Sequence, residues 1–194
     1  MSDNKIEFRS VAEIKTTDDE NSFIVEGKAI SYNNAEILYT DRFGTDYREM
    51  ILSNALDNVD LSDVPLKYNH DKEKAKILAR ARQKTLQLEN RQDGLYFKAE
   101  LKTNFGKDVY EAIKNGEITG CSFGFICEED SFDFDSNTRI VKKIAKLTDI
   151  SIVDEPAYKN TFVEARSVDY FKQLEETKVK EKEERQKLIL LTLL

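Results

Sequence analysis

Apolar and polar residues alternate along long stretches of the chain, which is the period of a β-strand with one buried face. Residues 22–32 (SFIVEGKAISY) show this alternation and end at an Asn-Asn pair, a turn signal. Asp93-Gly94 separates two alternating runs within residues 85–101, which predicts a β-hairpin. Further strands are predicted in residues 64–70, 76–82, 117–129 and 139–156.

Three segments depart from this alternation. Residues 48–56 predict a short helix, and residues 104–116 predict another, with Asn104 as its cap, Val109 and Ile113 on its apolar face and Gly116 at its end. Residues 167–187 are densely charged without Gly or Pro, and the chain closes on the apolar run LILLTLL. This last segment predicts a protruding helix.

The pattern predicts a mainly β (α+β) fold, an antiparallel β-barrel decorated by short helices and followed by a helical tail. A length of 194 residues fits one well-buried domain. We predict a flexible N-terminal segment over residues 1–21, one domain over 22–166 and a charged helical tail over 167–194.

The composition and charge of the chain limit the partners, the location and the cofactors that we expect. The net charge of -7 argues against broad nucleic-acid binding and favours a protein or peptide partner. No segment has the 18 or so apolar residues of a membrane span, so a cytosolic location without membrane contact is expected. Cys121 and Cys127 are predicted not to form a disulfide with each other. The sequence also lacks recognisable metal or nucleotide motifs, so no cofactor is expected.

Two residues are candidates for chemistry. His70 is the only histidine and lies where a predicted strand ends. The alternative to a catalytic role is that His70 is an ordinary polar residue. Ser122 lies on a predicted strand between Gly120 and Gly124, so we expect an uncrowded hydroxyl on the face opposite Cys121. That placement fits a nucleophile and disfavours a cysteine peptidase using Cys121, although the two glycines are also typical of a β-bulge.

A carboxylate in the middle of a strand is costly unless it is paired, and Asp149 lies in such a place. Strict alternation puts it on one face with Leu147 and Ser151. Asp149 is therefore our candidate to orient a histidine, with Asp154 or Glu155 as alternatives. A carboxylate at the strand edge, facing water or a lysine, explains the pattern equally well.

Four stretches of the sequence resemble the prohead protease family of tailed bacteriophages, whose fold is related to the herpesvirus protease assemblin. They are FIVEGKAISYNN at residues 23–34, VPLKYNHD at 64–71, the hairpin, helix and SFGF strand over 86–125, and LTDISIVDEPAY at 147–158. The PAY segment and the last 28 residues depart from the family pattern.

The resemblance implies an assemblin-like barrel and a serine endopeptidase with His70 as general base, Ser122 as nucleophile and Asp149 as the orienting group. It implies that the major capsid protein, the scaffold protein and the enzyme itself are substrates. The setting would be the assembling procapsid in the host cytoplasm. A homo-oligomer remains open, as do the oxyanion-hole donors, which are backbone N–H groups after Ser122 or in the strand bearing Arg139. The rival is a non-catalytic scaffold or capsid assembly protein.

Overall fold

The computed structural model describes residues 6–11, 14–17, 22–71 and 76–154, and the helical positions Glu176, Thr177, Lys180 and Glu184. These residues contain eleven strands and the helix α1 (Asn104–Lys114). The strands are β1 (Glu7–Val11), β2 (Ile14–Thr16), β3 (Ile24–Ser31), β4 (Glu36–Thr40), β5 (Asp46–Ile51), β6 (Pro65–Tyr68), β7 (Ile77–Arg80), β8 (Leu86–Arg91), β9 (Gly94–Glu100), β10 (Gly120–Asp133) and β11 (Thr138–Val153).

The strands form two sheets, which confirms a mainly β fold. The first sheet has the order β1-β10-β11-β5-β4, with β6 paired to β11 and β7 paired to β6, and the second has the order β2-β3-β9-β8. No closed barrel is found among the described residues, so that prediction is not confirmed. The long strand β11 divides its outer edge between two parallel neighbours, β5 at its start and β6 at its end. This branching replaces the ring of pairings that a barrel needs.

One apolar core holds the sheets together. Its members come from both sheets and from α1, and fully buried examples are Val25, Leu66, Phe125 and Ile150. The predicted β3 strand and the β8–β9 hairpin are confirmed. Cys121 and Cys127 are not joined in a disulfide, as expected.

The predicted helix over residues 48–56 is wrong, because Asp46–Ile51 is strand β5. Tyr47, Glu49 and Ile51 are its buried positions, so the strand does alternate. A glutamate at a buried position looks polar in the sequence and conceals this alternation.

Glu49 belongs to a buried charge cluster, defined here as Glu7, Arg9, Glu49 and Arg139. Arg9 Nη2 lies 2.7 Å from Glu49 and 2.9 Å from Glu7, and Arg139 Nη1 lies 2.8 Å from Glu49. Burial raises the pKa of Glu7, but hydrogen bonds and charge pairing with Arg139 and Arg9 lower it more, so the net pKa lies below 4.5. The cluster ties β1 to β5 and β11.

Helix α1 confirms the second predicted helix, with one correction at its start. The cap is Thr103, not Asn104, because the Thr103 hydroxyl accepts a hydrogen bond from the backbone N–H of Gly106 at 2.9 Å. Val109, Tyr110 and Ile113 face the core. Gly116 follows with a φ of 77°, a conformation that suits glycine at a helix end.

Within the predicted N-terminal segment, β1 pairs with β10 and β2 pairs with β3, so these strands belong to the sheets. The domain boundaries at 22 and 166 stay predictions.

Most of the predicted tail lies outside the described residues. Within the part that is described, no helix has the length and apolar character needed to cross a membrane.

Candidate active site

Strand β10 presents Ser122 on the face away from the core. Cys121, Phe123 and Phe125 point into the core, and alternation places Ser122 and Gly124 on the other side. Cys121 is fully buried on the core side, which agrees with the expectation that it does not share the serine's face.

His70 follows the end of β6, in a turn held against β11. Asn69 and His70 both have left-handed backbone conformations, with φ of 49° and 53°. The Asn69 N–H donates to the Ile152 carbonyl at 2.9 Å, and the Asp71 N–H closes the turn on the Tyr68 carbonyl at 3.0 Å. Because β6 runs parallel to β11, the turn brings the imidazole beside the end of β11.

A β-bulge in β11 directs Asp149 to the same place. Phe125 pairs with Leu147 and Gly124 pairs with Asp149, so Thr148 is an extra residue on β11. Leu147 therefore faces the core with Ile150, while Asp149 faces the opposite side. The strict alternation that put Leu147 and Asp149 on one face is wrong at this bulge.

The three predicted residues meet in a hydrogen-bonded chain. His70 Nε2 lies 2.6 Å from Ser122 Oγ, and His70 Nδ1 lies 2.6 Å from Asp149 Oδ2. A neutral imidazole with its proton on Nδ1 donates to Asp149 and leaves Nε2 free to accept the serine proton. This is the geometry of a serine-protease triad.

Comparison with known proteins points to the same chemistry. A family model described as caudovirus prohead serine protease matches residues 10–175, which include all three residues. The chain belongs to the caudovirus prohead serine protease family. Membership confirms the resemblance seen in the sequence and supports a role as a capsid-maturation protease. No curated protein and no solved structure matches the chain.

The carboxylate of this prohead protease family member is well supported by its neighbours. Besides His70, Asp149 accepts hydrogen bonds from the hydroxyls of Ser151 at 3.0 Å and Thr148 at 3.2 Å, and Lys67 Nζ lies 3.5 Å away. Burial raises the pKa of Asp149, but His70, Lys67 and Ser151 lower it more, so the net pKa lies below its ordinary value. Asp149 is therefore ionised at neutral pH.

The space beside Ser122 is filled. The Phe8 ring from β1 lies 4.1 Å from the His70 ring, measured between centroids. A Cβ placed on Gly124 would lie 2.5 Å from Thr148 Oγ1 and 2.7 Å from a Phe8 ring carbon. Ser122 is only 3% exposed. The predicted uncrowded space is thus a close approach, which the missing side chain of Gly124 permits.

Asp154 does not contact the imidazole in the way that Asp149 does. Asp154 accepts a hydrogen bond from the Tyr68 hydroxyl at 3.2 Å, and Glu155 lies outside the described residues.

A cavity of about 730 Å³ lies against the second sheet, and none of the three residues His70, Ser122 and Asp149 lines it.

Alternation puts Ser151 on the same face as Asp149, but its contacts within the site were not predicted, and neither were those of Lys67 and Phe8. Ser151 carried a signal, because it lies two residues after Asp149 on a strand. Lys67 and Phe8 carried none, because their places depend on pairings between strands far apart in the chain.

Proposed function

We propose that the chain is a serine endopeptidase in which Ser122 is the nucleophile, His70 the general base and Asp149 the group that orients the imidazole. The observation that carries this proposal is the pair of 2.6 Å contacts of His70, one on each ring nitrogen. A structural histidine needs no nucleophile on one side and no carboxylate on the other.

The chemistry follows from these contacts. His70 takes the proton from Ser122 as Oγ attacks the peptide carbonyl carbon, and the imidazolium that forms is stabilised by ionised Asp149. The tetrahedral intermediate then collapses, the peptide C–N bond breaks, and His70 gives its proton to the leaving amine. Water hydrolyses the acyl-enzyme by the same steps, with His70 again as base.

The oxyanion donors remain backbone N–H groups after Ser122 or in β11, the strand bearing Arg139. The Arg139 side chain itself is held by Glu7, Glu49 and Asp130.

We propose that the substrates are the scaffolding segment of the major capsid protein, the scaffold protein and the enzyme itself, inside the procapsid. This rests on family membership. Confinement inside the procapsid raises the local concentration of substrate, so the enzyme needs little affinity for it. The charged tail over residues 167–194 would bring the enzyme into the procapsid by binding scaffold or another copy of the enzyme. Deleting the tail and measuring incorporation into procapsids tests this role, and unchanged incorporation contradicts it.

Co-expression with the major capsid protein tests the enzyme proposal. The Ser122→Ala and His70→Ala variants should each stop processing of the capsid protein and of the enzyme, because each removes one end of the proton transfer. Ser131→Ala, on the same strand but away from the site, is the matched control and should process normally. Processing that persists in both triad variants supports the non-catalytic scaffold instead.

A further inference from the structure

Ser151 contacts all three residues of the site: Ser122, His70 and Asp149. It is 0% exposed, and its backbone is the cross-strand partner of Ser122 in the β10–β11 ladder. Its Oγ accepts a hydrogen bond from the backbone N–H of His70 at 3.0 Å and donates one to Asp149 Oδ2 at 3.0 Å. A hydroxyl has one proton to donate, and this one is committed to the carboxylate.

The backbone of His70 needs such a contact. Asn69 and His70 occupy consecutive left-handed conformations, which residues with a Cβ adopt only when their surroundings hold them there. Ile152 binds the N–H of Asn69, and Ser151 binds the N–H of His70. Removing the Ser151 hydroxyl would remove the hydrogen bond that holds the His70 backbone, from which the imidazole extends.

The carboxylate of Asp149 needs the same hydroxyl. Asp149 Oδ2 receives both the Ser151 hydroxyl and His70 Nδ1. With both donors on one oxygen, rotation of the carboxylate would break two hydrogen bonds at once. Thr148 and Lys67 bind the other oxygen, Oδ1.

We propose that Ser151 is a positioning residue of the protease, whose single hydroxyl fixes the distance between the His70 backbone and the Asp149 carboxylate. This inference rests on the proposed function of the triad. A purely structural hydroxyl would contribute to stability alone. A positioning hydroxyl also controls whether the imidazole proton stays on Nδ1 and how fast Ser122 reacts.

The test compares Ser151→Ala with Ser151→Thr, which keeps the hydroxyl, and with Ser131→Ala as the control. The first readout is the rate at which a fluorophosphonate probe modifies Ser122. A displacement of the imidazole by about 1 Å lowers such a rate by about 100-fold, so Ser151→Ala should react about 10–100-fold more slowly than wild type. Ser151→Thr should recover most of the rate, and the control should match wild type.

The second readout uses the single histidine of the chain. In protein labelled with ¹⁵N-histidine and carrying no histidine tag, the Nδ1–H proton gives one unambiguous NMR signal. This signal should be sharp in wild type and Ser151→Thr, and broadened or lost by solvent exchange in Ser151→Ala. If Ser151→Ala does not fold, Ser151→Cys takes its place, because a thiol of similar size is a weaker hydrogen-bonding group.

The outcomes separate the two proposals. If Ser151→Ala reacts at the wild-type rate and keeps its Nδ1–H signal, the inference about Ser151 is overturned and the triad stands. If wild type reacts no faster than Ser122→Ala, the proposed function fails. The NMR readout still decides the role of Ser151 in that case, since a lost signal supports it and an unchanged signal overturns it.

Discussion

Replacing Gly124 by alanine adds one methyl group at a crowded point beside Ser122, the proposed nucleophile. The new Cβ would lie 2.5 Å from Thr148 Oγ1 and 2.7 Å and 3.0 Å from two carbons of the Phe8 ring. Ordinary van der Waals contacts of a Cβ begin near 3.4 Å, so these neighbours must move by about 1 Å.

Neither neighbour can move without disturbing the site. The Thr148 hydroxyl donates to Asp149, and the Phe8 ring lies against the His70 ring. Phe8 is also restrained, because the buried charge cluster holds Glu7 and Arg9 on either side of it. Steric overlap at residue 124 therefore disturbs Asp149 through Thr148 and His70 through Phe8.

Two magnitudes follow for Gly124→Ala. Overpacking of this kind lowers the free energy of unfolding by about 1–3 kcal/mol. A shift of about 1 Å in a catalytic group lowers the rate by about 100-fold. Urea unfolding measures the first, and the rate of Ser122 modification by a fluorophosphonate probe, under conditions where the variant is folded, measures the second.

Gly44→Ala is the matched control for Gly124→Ala. Gly44 has a φ of 82° in the β4–β5 turn, and no atom lies within 4 Å of the position that an alanine methyl group would take there. Alanine at this position therefore adds backbone strain without crowding. It should lose about 1 kcal/mol of stability at an unchanged probe rate. The double variant Gly124→Ala/Phe8→Leu should regain part of the lost rate. A wild-type rate in Gly124→Ala would refute the close approach of Phe8 and Thr148.

Three further predictions concern buried charges. Asp149→Asn should lower the probe rate by about 10⁴-fold, since an amide cannot hold the imidazole in the required tautomer, whereas Asp154→Asn should change it little; equal losses in the two would contradict our assignment. Arg139→Met should lower the free energy of unfolding by about 3–5 kcal/mol in urea titrations, because it leaves Glu7 and Glu49 without one of their two cations. The pKa of Glu7 is lower in the folded state than in the unfolded chain, so its stabilising contribution is fully present above the unfolded-state pKa and is lost as the pH falls through the folded-state pKa. Glu7→Gln should flatten the acid limb of the stability profile, and an unchanged limb would refute this linkage.

Local patterns were enough to predict much of the fold. Alternation identified β3, and Asp93-Gly94 identified the β8–β9 hairpin, because both features depend on neighbouring residues only. The same rules failed for β5, where Glu49 occupies a buried position that only the distant residues Arg9 and Arg139 make favourable.

The candidate site shows the same division. The places of His70, Ser122 and Asp149 at a strand end or within strands make them candidates only. The family resemblance assigns their roles, and the structure brings the three residues into contact. The bulge at Thr148 and the parallel pairing of β6 with β11 could not be predicted from the sequence, because neither is encoded by a local pattern. These two features of topology decide which side chains surround the triad.

Covalent trapping of the nucleophile tests the central claim most directly. A fluorophosphonate forms a bond between phosphorus and Ser122 Oγ, fluoride leaves, and His70 takes the serine proton. Peptide mapping by mass spectrometry should find the adduct on Ser122 in wild type and in Ser131→Ala. It should find none in Ser122→Ala and almost none in His70→Ala. An adduct on another residue, or labelling of Ser122 that does not depend on His70, would contradict the account.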